Sequence, residues 1–259
     1  MSRVDALFAT CRAEGRAALI GYLPVGYPSY AESVAAMIAM VEGGVDLVEV
    51  GVPYTDPGMD GPVIQVAVDA ALRAGSRVAH VFDALATVSA HAPAVVMGYW
   101  NPVEHYGPAR FAKDLKAAGG SGAITPDLIP AEAGPWLEAA LAEDVDPVFL
   151  VAPSSTDERI AVVGRANRGF VYAASTMGVT GARSEVGNRA EELVRRTRAQ
   201  TDLPVCVGLG VSNGEQAAEV ARFADGVIVG SALVSALRDG GPDAVRALAI
   251  DLADGVRRR

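Results

Sequence analysis

The sequence has few of the side chains that carry redox, metal or disulfide chemistry. Among 259 residues there are two cysteines and three histidines. Cys11 and Cys206 lie far apart with no CxxC, so they offer no disulfide framework and no metal-site spacing. His80, His91 and His105 form neither HxH nor HExxH, which disfavours a metal-dependent enzyme.

An excess of positive charge is also missing. The 22 basic and 31 acidic side chains give a net charge of −9. No basic field is available to collect phosphates, so a nucleic-acid or anionic-membrane partner is disfavoured. The basic residues 257–259 are interpreted as a solvated end. The N-terminus has no apolar signal-peptide core and no stretch is long enough to span a bilayer, which predicts a cytoplasmic protein.

What the sequence does have is a regular alternation of β-rich apolar runs with alanine-rich segments of helical period. Eight such runs lie at residues 17–26, 45–53, 94–100, 122–127, 145–153, 169–175, 203–210 and 224–231. Near-continuous apolar strands favour parallel pairing with both faces covered. Eight units in this length predict an α/β fold, a (β/α)8 TIM barrel, with a doubly wound open sheet as the alternative.

The segments outside the eight units refine this prediction. The residues before the first run have the pattern of an extra N-terminal helix, and extra helices are expected after strands 2 and 8. No stretch rich in Ser, Pro or charge divides the chain, so residues 1–259 are predicted to form a single TIM-barrel domain. Barrel chemistry lies at the carboxyl ends of the strands, and phosphate commonly binds after strands seven and eight.

Glycines are concentrated where the last three strands end, in "STMGVTGARSEVG", "GLGVSNG" and "VGSALV". Gly181, Gly210 and Gly230 would let backbone N–H groups approach an anion, and Ser231 adds a hydroxyl. An apolar helical pattern follows Gly230, and the start of a helix offers free N–H groups to a dianion. These residues are predicted to bind phosphate; the alternative is that the glycines only form tight turns.

One acid, Glu49, interrupts the apolar run "LVEVGVP". Strand alternation places Leu47, Glu49 and Gly51 on one face and the valines on the other, which directs Glu49 into the barrel mouth. A structural acid paired with an interior base is the alternative, although no strand core contains a Lys or Arg. An acid among apolar groups should have a raised pKa, which suits proton exchange near neutral pH.

A second acid, Asp60, directly precedes "GPVIQ", where Pro62 is placed to begin a helix. Capping or dipole compensation would explain it structurally. Both roles are compatible, because a carboxylate near a helix N-terminus is stabilised as an anion and can accept a substrate N–H. Two acids in different environments can divide acid and base work.

Other catalytic groups are poorly placed. Lys113 and Lys116 lie in the helix after strand three and not at a strand end, which disfavours a Schiff-base aldolase. There is no GxSxG, and "APSST" at 152–156 is expected to cap the helix after strand five. The remaining chemistry is acid–base catalysis on a phosphorylated substrate that supplies its own electron sink.

Several motifs together resemble one family along essentially the whole chain. They are "LVEVGVPYTDPGMDGPVIQ", "MGYWNPV", "TPDLIP", "FVYAASTMGVTGAR", "VGLGVS" and "DGVIVGSALV". In order and spacing they are similar to the tryptophan synthase alpha chain. The resemblance implies retro-aldol cleavage of indole-3-glycerol phosphate to indole and glyceraldehyde 3-phosphate without a cofactor. It implies that Glu49 exchanges protons at indole C3 and at the side-chain hydroxyl, while Asp60 holds the indole N–H.

The resemblance also implies supporting residues. Tyr172 would lie near the reacting site, and Thr180 would bond to the catalytic aspartate when its loop closes. Tyr22 and Tyr99 match aromatic positions of the indole pocket, with ordinary packing at the mouth as the alternative. Asp56 matches a contact with the partner chain.

A pyridoxal-phosphate-dependent beta chain is the implied partner, in an alpha2-beta2 tetramer that receives the indole. Loops 54–60 and 176–186, with Gly58, Gly178 and Gly181, would order over the substrate. The chain departs from many members of the family at four positions: Tyr22, Pro24, Tyr27 and Met177. These departures bear on loop dynamics, partner coupling and pocket polarity.

Three alternatives to this function stay open. The chain could be a self-sufficient lyase that needs no partner, or a catalytically silent phosphate-binding regulatory subunit, against which the intact pair Glu49 and Asp60 argues. Indole-3-glycerol phosphate synthase is the enzymatic alternative, but that reaction wants a lysine at a strand end.

Overall fold

The computed structural model describes residues 2–175 and 183–258. Its strands are β1 Ala18–Pro24, β2 Leu47–Gly51, β3 Ala94–Met97, β4 Gly122–Ile124, β5 Asp146–Val148, β6 Leu150–Val151, β7 Val171–Ala174, β8 Val205–Gly208 and β9 Gly226–Val229. Its helices are α1 Arg3–Ala13, α2 Tyr30–Glu42, α3 Pro62–Arg73, α4 Val78–Val88, α5 Trp100–Tyr106, α6 Pro108–Ala117, α7 Gly134–Ala142, α8 Asp157–Ala166, α9 Arg183–Arg198, α10 Gly214–Ala221 and α11 Ser231–Val256. A 3-10 turn covers Pro130–Glu132.

The strands pair in parallel in the order β5-β4-β3-β2-β1-β9-β8-β7-β6. The two ends of this order, β5 and β6, are parts of one strand separated by Phe149. The side chain of Asn167 takes the place of a neighbouring strand there, accepting from the Phe149 N–H at 2.9 Å and donating to its C=O at 3.0 Å. The ring therefore closes as an eight-stranded barrel, which confirms the predicted fold class.

The expected additional helices are present. Helix α1 precedes the first strand, and α3 and α4 both follow β2. Helix α11 follows β9, which is strand 8 of the prediction. It consists of two helical parts, because Gly240 and Gly241 have non-helical backbone angles. One predicted boundary differs: the apolar run 94–100 leaves the sheet at Met97, and α5 begins at Trp100. The Asp127 carboxylate accepts the Trp100 N–H at 2.8 Å and so fixes the start of that helix.

The buried apolar residues form two clusters, one between the strands and the surrounding helices and one inside the barrel. The valines of β2 pack with the helices, as the alternation predicted. Leu47 points inward with Ile20, Val95 and Ile228. Helix α1 covers the amino-terminal end of the barrel, where Phe8 meets Phe170 with ring centroids 5.8 Å apart. The free end of the barrel is the carboxyl end of the strands.

Within residues 2–175 and 183–258, no helix is both long and apolar enough to cross a membrane.

Candidate functional site

A cavity of about 240 Å³ opens at the carboxyl ends of the strands. It is lined by Tyr22, Glu49, Met59, Asp60, Gly61, Ile64, Met97, Pro126, Leu150, Tyr172, Ala174, Ser175, Gly208, Gly210, Ile228, Gly230 and Ser231. Both acids singled out in the sequence, two of the three glycines and the serine therefore share one cavity.

Glu49 reaches the cavity from the inner face of β2, where its backbone partner on β1 is Tyr22. Its side chain is 1% exposed, and Oε1 has no hydrogen-bond partner among the described residues. Burial raises the pKa of the carboxyl from 4.5 to about 8. Glu49 is therefore mostly protonated at neutral pH and can donate a proton.

Asp60 lines the same cavity from the loop between β2 and α3. The loop is held by the Asp60 N–H donating to the Pro57 C=O at 3.1 Å and by Gln65 Nε2 donating to the Asp60 C=O at 2.9 Å. Burial raises the pKa of the carboxyl from 3.8 to about 6, and a hydrogen bond with the Tyr99 hydroxyl opposes the rise. Asp60 is therefore ionised at neutral pH and can accept an N–H.

The helix that follows tests the capping alternative for Asp60. Helix α3 has Pro62 in its first turn, as predicted, and its N-cap is Gly61. No side chain makes a capping hydrogen bond there. The Asp60 carboxyl is thus left to face the cavity, still close enough to the helix N-terminus to gain from its dipole.

The start of helix α11 also lines the cavity. Gly230 is its N-cap and Ser231 its first residue. The first N–H groups of a helix lack partners within the helix, so they and the Ser231 hydroxyl can bind an anion. Gly210 adjoins them with a φ of 70°, a left-handed conformation that favours glycine.

The predicted aromatic residues divide into two groups. Tyr22 and Tyr172 line the cavity. Tyr99 does not line it; its hydroxyl accepts the Met59 N–H at 2.9 Å, and its ring lies 5.4 Å from that of Tyr54. Tyr99 therefore holds the loop that carries Asp60, a contact that no pattern in the sequence indicated.

The remaining predicted residues lie elsewhere. Asp56 is exposed and lines a separate groove beside α3, where the Thr55 hydroxyl donates to it at 2.6 Å. Thr180 and Gly181 lie outside the described residues, as do Met177 and Gly178 of the same predicted loop.

The lysines, the cysteines and the hydroxyls of residues 152–156 lie outside the cavity. Lys113 and Lys116 are on helix α6, and Thr156 caps α8 by accepting the Arg159 N–H at 3.3 Å. Cys11 and Cys206 are free and buried. In the part of the chain that the structure describes, no group of three His, Cys, Asp or Glu is arranged to hold a metal.

Several apolar residues complete the cavity and were not singled out from the sequence. Ile64, Met97, Leu150 and Ile228 form a surface suited to a flat apolar ring. Strand alternation could have found Ile228, which is two residues before Gly230 on the same face. It could not have found Ile64, which comes from the helical layer.

Comparisons with known proteins agree with the geometry. A family model described as tryptophan synthase alpha chain matches residues 8–253. The tryptophan synthase alpha chain of Mycobacterium intracellulare is 61% identical over 259 residues, which is 100% of this chain and 96% of that protein. That of Mycobacterium tuberculosis is 61% identical over 257 residues, 99% of this chain and 95% of the relative.

Solved structures are similar as well. A crystal structure of tryptophan synthase from M. tuberculosis in an open form has a TM-score of 0.93 at 56% identity and covers 99% of both chains. Tryptophan synthase subunit alpha from Legionella pneumophila has a TM-score of 0.91 at 30% identity, covering 99% of this chain and 98% of that one.

Proposed function

The chain belongs to the tryptophan synthase alpha chain family, and on that premise we propose that Glu49 and Asp60 perform the family's reaction. The chain is a carbon–carbon lyase, and the reaction cleaves indole-3-glycerol phosphate to indole and glyceraldehyde 3-phosphate. One observation carries the assignment: both carboxyls line the same cavity as the N-terminus of helix α11.

Glu49 moves the proton. Because its pKa is about 8, the resting carboxyl can protonate C3 of the indole ring. The carboxylate that remains then removes the proton from the hydroxyl on the adjacent side-chain carbon. That hydroxyl becomes the aldehyde as the carbon–carbon bond breaks, and the bonding electrons return to the protonated ring. The net change is one proton moved from oxygen to carbon.

Asp60 stabilises the charge that this sequence creates. Protonation of C3 places positive charge on the ring nitrogen, and an ionised carboxylate that accepts the ring N–H stabilises it. The pKa of about 6 keeps Asp60 ionised at neutral pH. Two acids of one cavity thus hold different protonation states because their burial differs.

We assign the phosphate to the backbone N–H groups of Gly210 and Gly230 and to Ser231, with Tyr172 beside the reacting atoms. We assign the ring to the apolar residues of the same cavity. Tyr22 packs in this pocket, and Tyr99 supports it indirectly through the loop of Asp60.

The partner is the beta chain, with which alpha chains of this family work in tryptophan synthase. We extend this to an alpha2-beta2 tetramer in the cytoplasm, with residues 1–259 as a single domain, Asp56 at the interface and indole passed directly to the partner. The exposed position of Asp56 beside a groove supports the contact. The roles of Thr180 and Gly181 stay predictions.

To test the proposal, the purified chain is mixed with indole-3-glycerol phosphate and both products are measured. We expect equal amounts of indole and glyceraldehyde 3-phosphate. Glu49→Gln and Asp60→Asn should each lower turnover by roughly 10²–10⁴-fold. Glu138→Gln, an exposed position on helix α7, is the matched control and should keep wild-type turnover. Near-normal turnover of Asp60→Asn would refute its assigned role.

The same assay separates the alternatives. A beta chain that leaves the rate unchanged would identify a self-sufficient lyase. A silent regulatory subunit would release no indole, and Glu49→Gln would then make no difference.

A further inference from the structure

Two tyrosines of the barrel repeat one local arrangement. Tyr22 on β1 is the backbone partner of Glu49 on β2, and a Cβ placed on Gly51 would lie 2.6 Å from the Tyr22 hydroxyl oxygen. Tyr172 on β7 is the partner of Cys206 on β8, and a Cβ on Gly208 would lie 2.6 Å from the Tyr172 hydroxyl oxygen.

Each ring therefore lies against a glycine of the next strand, two residues beyond its own partner. Any larger residue at Gly51 or Gly208 would collide with the phenol. The two glycines thus leave the space that the rings occupy, and both tyrosines line the cavity. Within the described ranges, neither hydroxyl has a hydrogen-bond partner, unlike the hydroxyl of Tyr99, which accepts from Met59.

Electrostatics keep these hydroxyls protonated. Burial raises the pKa of the Tyr22 phenol well above its usual value, and the charges of Asp60 and Glu49 raise it further. Burial and the same two acids act on Tyr172. Both phenols are therefore neutral groups that can donate a hydrogen bond across the working pH range.

The Tyr22 ring also lies between the start of helix α11 and strand β2. At one end its Cδ1 would be 3.4 Å from a Cβ on Gly230, at the start of helix α11. At the other end its hydroxyl reaches Gly51, beside Glu49. With the phosphate at Ser231 and the ring N–H at Asp60, the three-carbon chain with its two hydroxyls lies between them, in the cavity that the Tyr22 ring lines.

We propose that Tyr22 is a substrate-binding residue whose hydroxyl forms a hydrogen bond with a hydroxyl of the chain between ring and phosphate. This inference rests on the proposed function. Tyr172 presents its hydroxyl from another side of the same cavity in the same way, so the substrate chain is held between two rigid donors. Pre-oriented donors of this kind bind without ordering a flexible side chain first.

Two ligands test the inference. Indole-3-glycerol phosphate has the chain hydroxyls, whereas 3-(indol-3-yl)propyl phosphate has the same ring and phosphate without them. In the Glu49→Gln background the intact substrate is not consumed, so its Kd can be measured by calorimetry. Adding Tyr22→Phe should weaken substrate binding about threefold to tenfold, the value of one hydrogen bond. Binding of the propyl phosphate should not change.

A matched control and a rate measurement complete the experiment. Tyr27→Phe removes a hydroxyl at the same rim but outside this cavity, and should leave both affinities unchanged. In the otherwise native chain, Tyr22→Phe should lower kcat/KM by a similar factor without moving the pH profile.

Each contrary result overturns the inference. Equal losses for both ligands would place the hydroxyl on the ring or the phosphate, and no loss for the substrate would leave it without a role. A lowered Tm in Tyr22→Phe would reveal a partner within the protein. The proposed function fails separately, if the native chain releases no indole.

Discussion

The two ends of the barrel each contain a buried acid, and the two acids differ in their surroundings. Glu49 at the mouth and Asp146 at the amino-terminal end are both 1% exposed. Burial raises the pKa of both. Asp146 has a cation beside it, since Arg168 Nε lies 3.1 Å from its Oδ1, and Ser2 and Arg168 both act to lower its pKa. The Glu49 carboxyl, in contrast, faces only the cavity.

The difference shows that burial alone does not identify a catalytic acid. Asp146 lies under helix α1 beside a fixed cation, so a substrate cannot reach it and its charge is partly balanced. Glu49 has no balancing cation among the described residues, because burial is the only influence on its pKa, and it faces a space that a substrate can enter. Access together with an uncompensated raised pKa indicates function, whereas a raised pKa by itself does not.

The first prediction compares the catalytic rates of variants at the two acids. Glu49→Gln should reduce indole release by roughly 10²–10⁴-fold, because the proton donor is lost. Asp146→Asn should leave turnover of the folded chain unchanged, because that acid is at the closed end. Steady-state rates at matched concentrations of folded protein measure both. A comparable loss in Asp146→Asn would remove the distinction between the two ends.

The second prediction concerns how packing at the amino-terminal end of the barrel, which helix α1 covers, contributes to the unfolding free energy. Phe8→Ala removes the ring that packs on Phe170 and should destabilise the chain by about 3–5 kcal/mol in urea unfolding. Met59 at the mouth is 56% exposed, so Met59→Ala should change the unfolding free energy by less than about 0.5 kcal/mol. Equal losses would mean that the mouth is packed as tightly as the base.

A third effect follows from the raised pKa of Glu49. The folded chain keeps this proton up to about pH 8, whereas the unfolded chain loses it near 4.5. The unfolding free energy should therefore fall as pH rises from 5 to 8, by at most about 1.4 kcal/mol per pH unit. Glu49→Gln lacks this titration, so the unfolding free energy of the variant minus that of the native chain should increase from pH 5 to 8. Urea unfolding at several pH values measures this difference, and a difference independent of pH would contradict the assignment.

The smallest effect concerns the loop at the mouth. The Tyr99 hydroxyl lowers the pKa of Asp60, so Tyr99→Phe should raise that pKa above about 6. The acidic limb of the kcat/KM profile should move upward, because Asp60 must be ionised to accept the indole N–H. Tyr54→Phe removes a hydroxyl that accepts from Asn101 and should leave the limb in place. An unmoved limb in Tyr99→Phe would mean that Asp60 is not the group observed.

Much of the site could be predicted from particular residues. The alternation of "LVEVG" directed Glu49 inward, and Pro62 marked the start of α3 after Asp60, and both placements are as expected. The tyrosines could not be assigned in the same way. Tyr22 and Tyr99 looked equivalent in sequence, yet Tyr22 lines the cavity and Tyr99 supports a loop, because the chain after Met97 turns into α5.

Local sequence patterns were enough to predict the number of βα units, the inward face of the second strand and the small set of groups available for catalysis. These follow from local periodicity and composition, which need no long-range contact. Other properties depend on the folded barrel: which strand ends meet, how Asn167 completes the ring at Phe149, and why Glu49 keeps its proton while Arg168 partly balances Asp146. Those properties depend on desolvation and on neighbours distant in sequence, so they exist only once the barrel has closed.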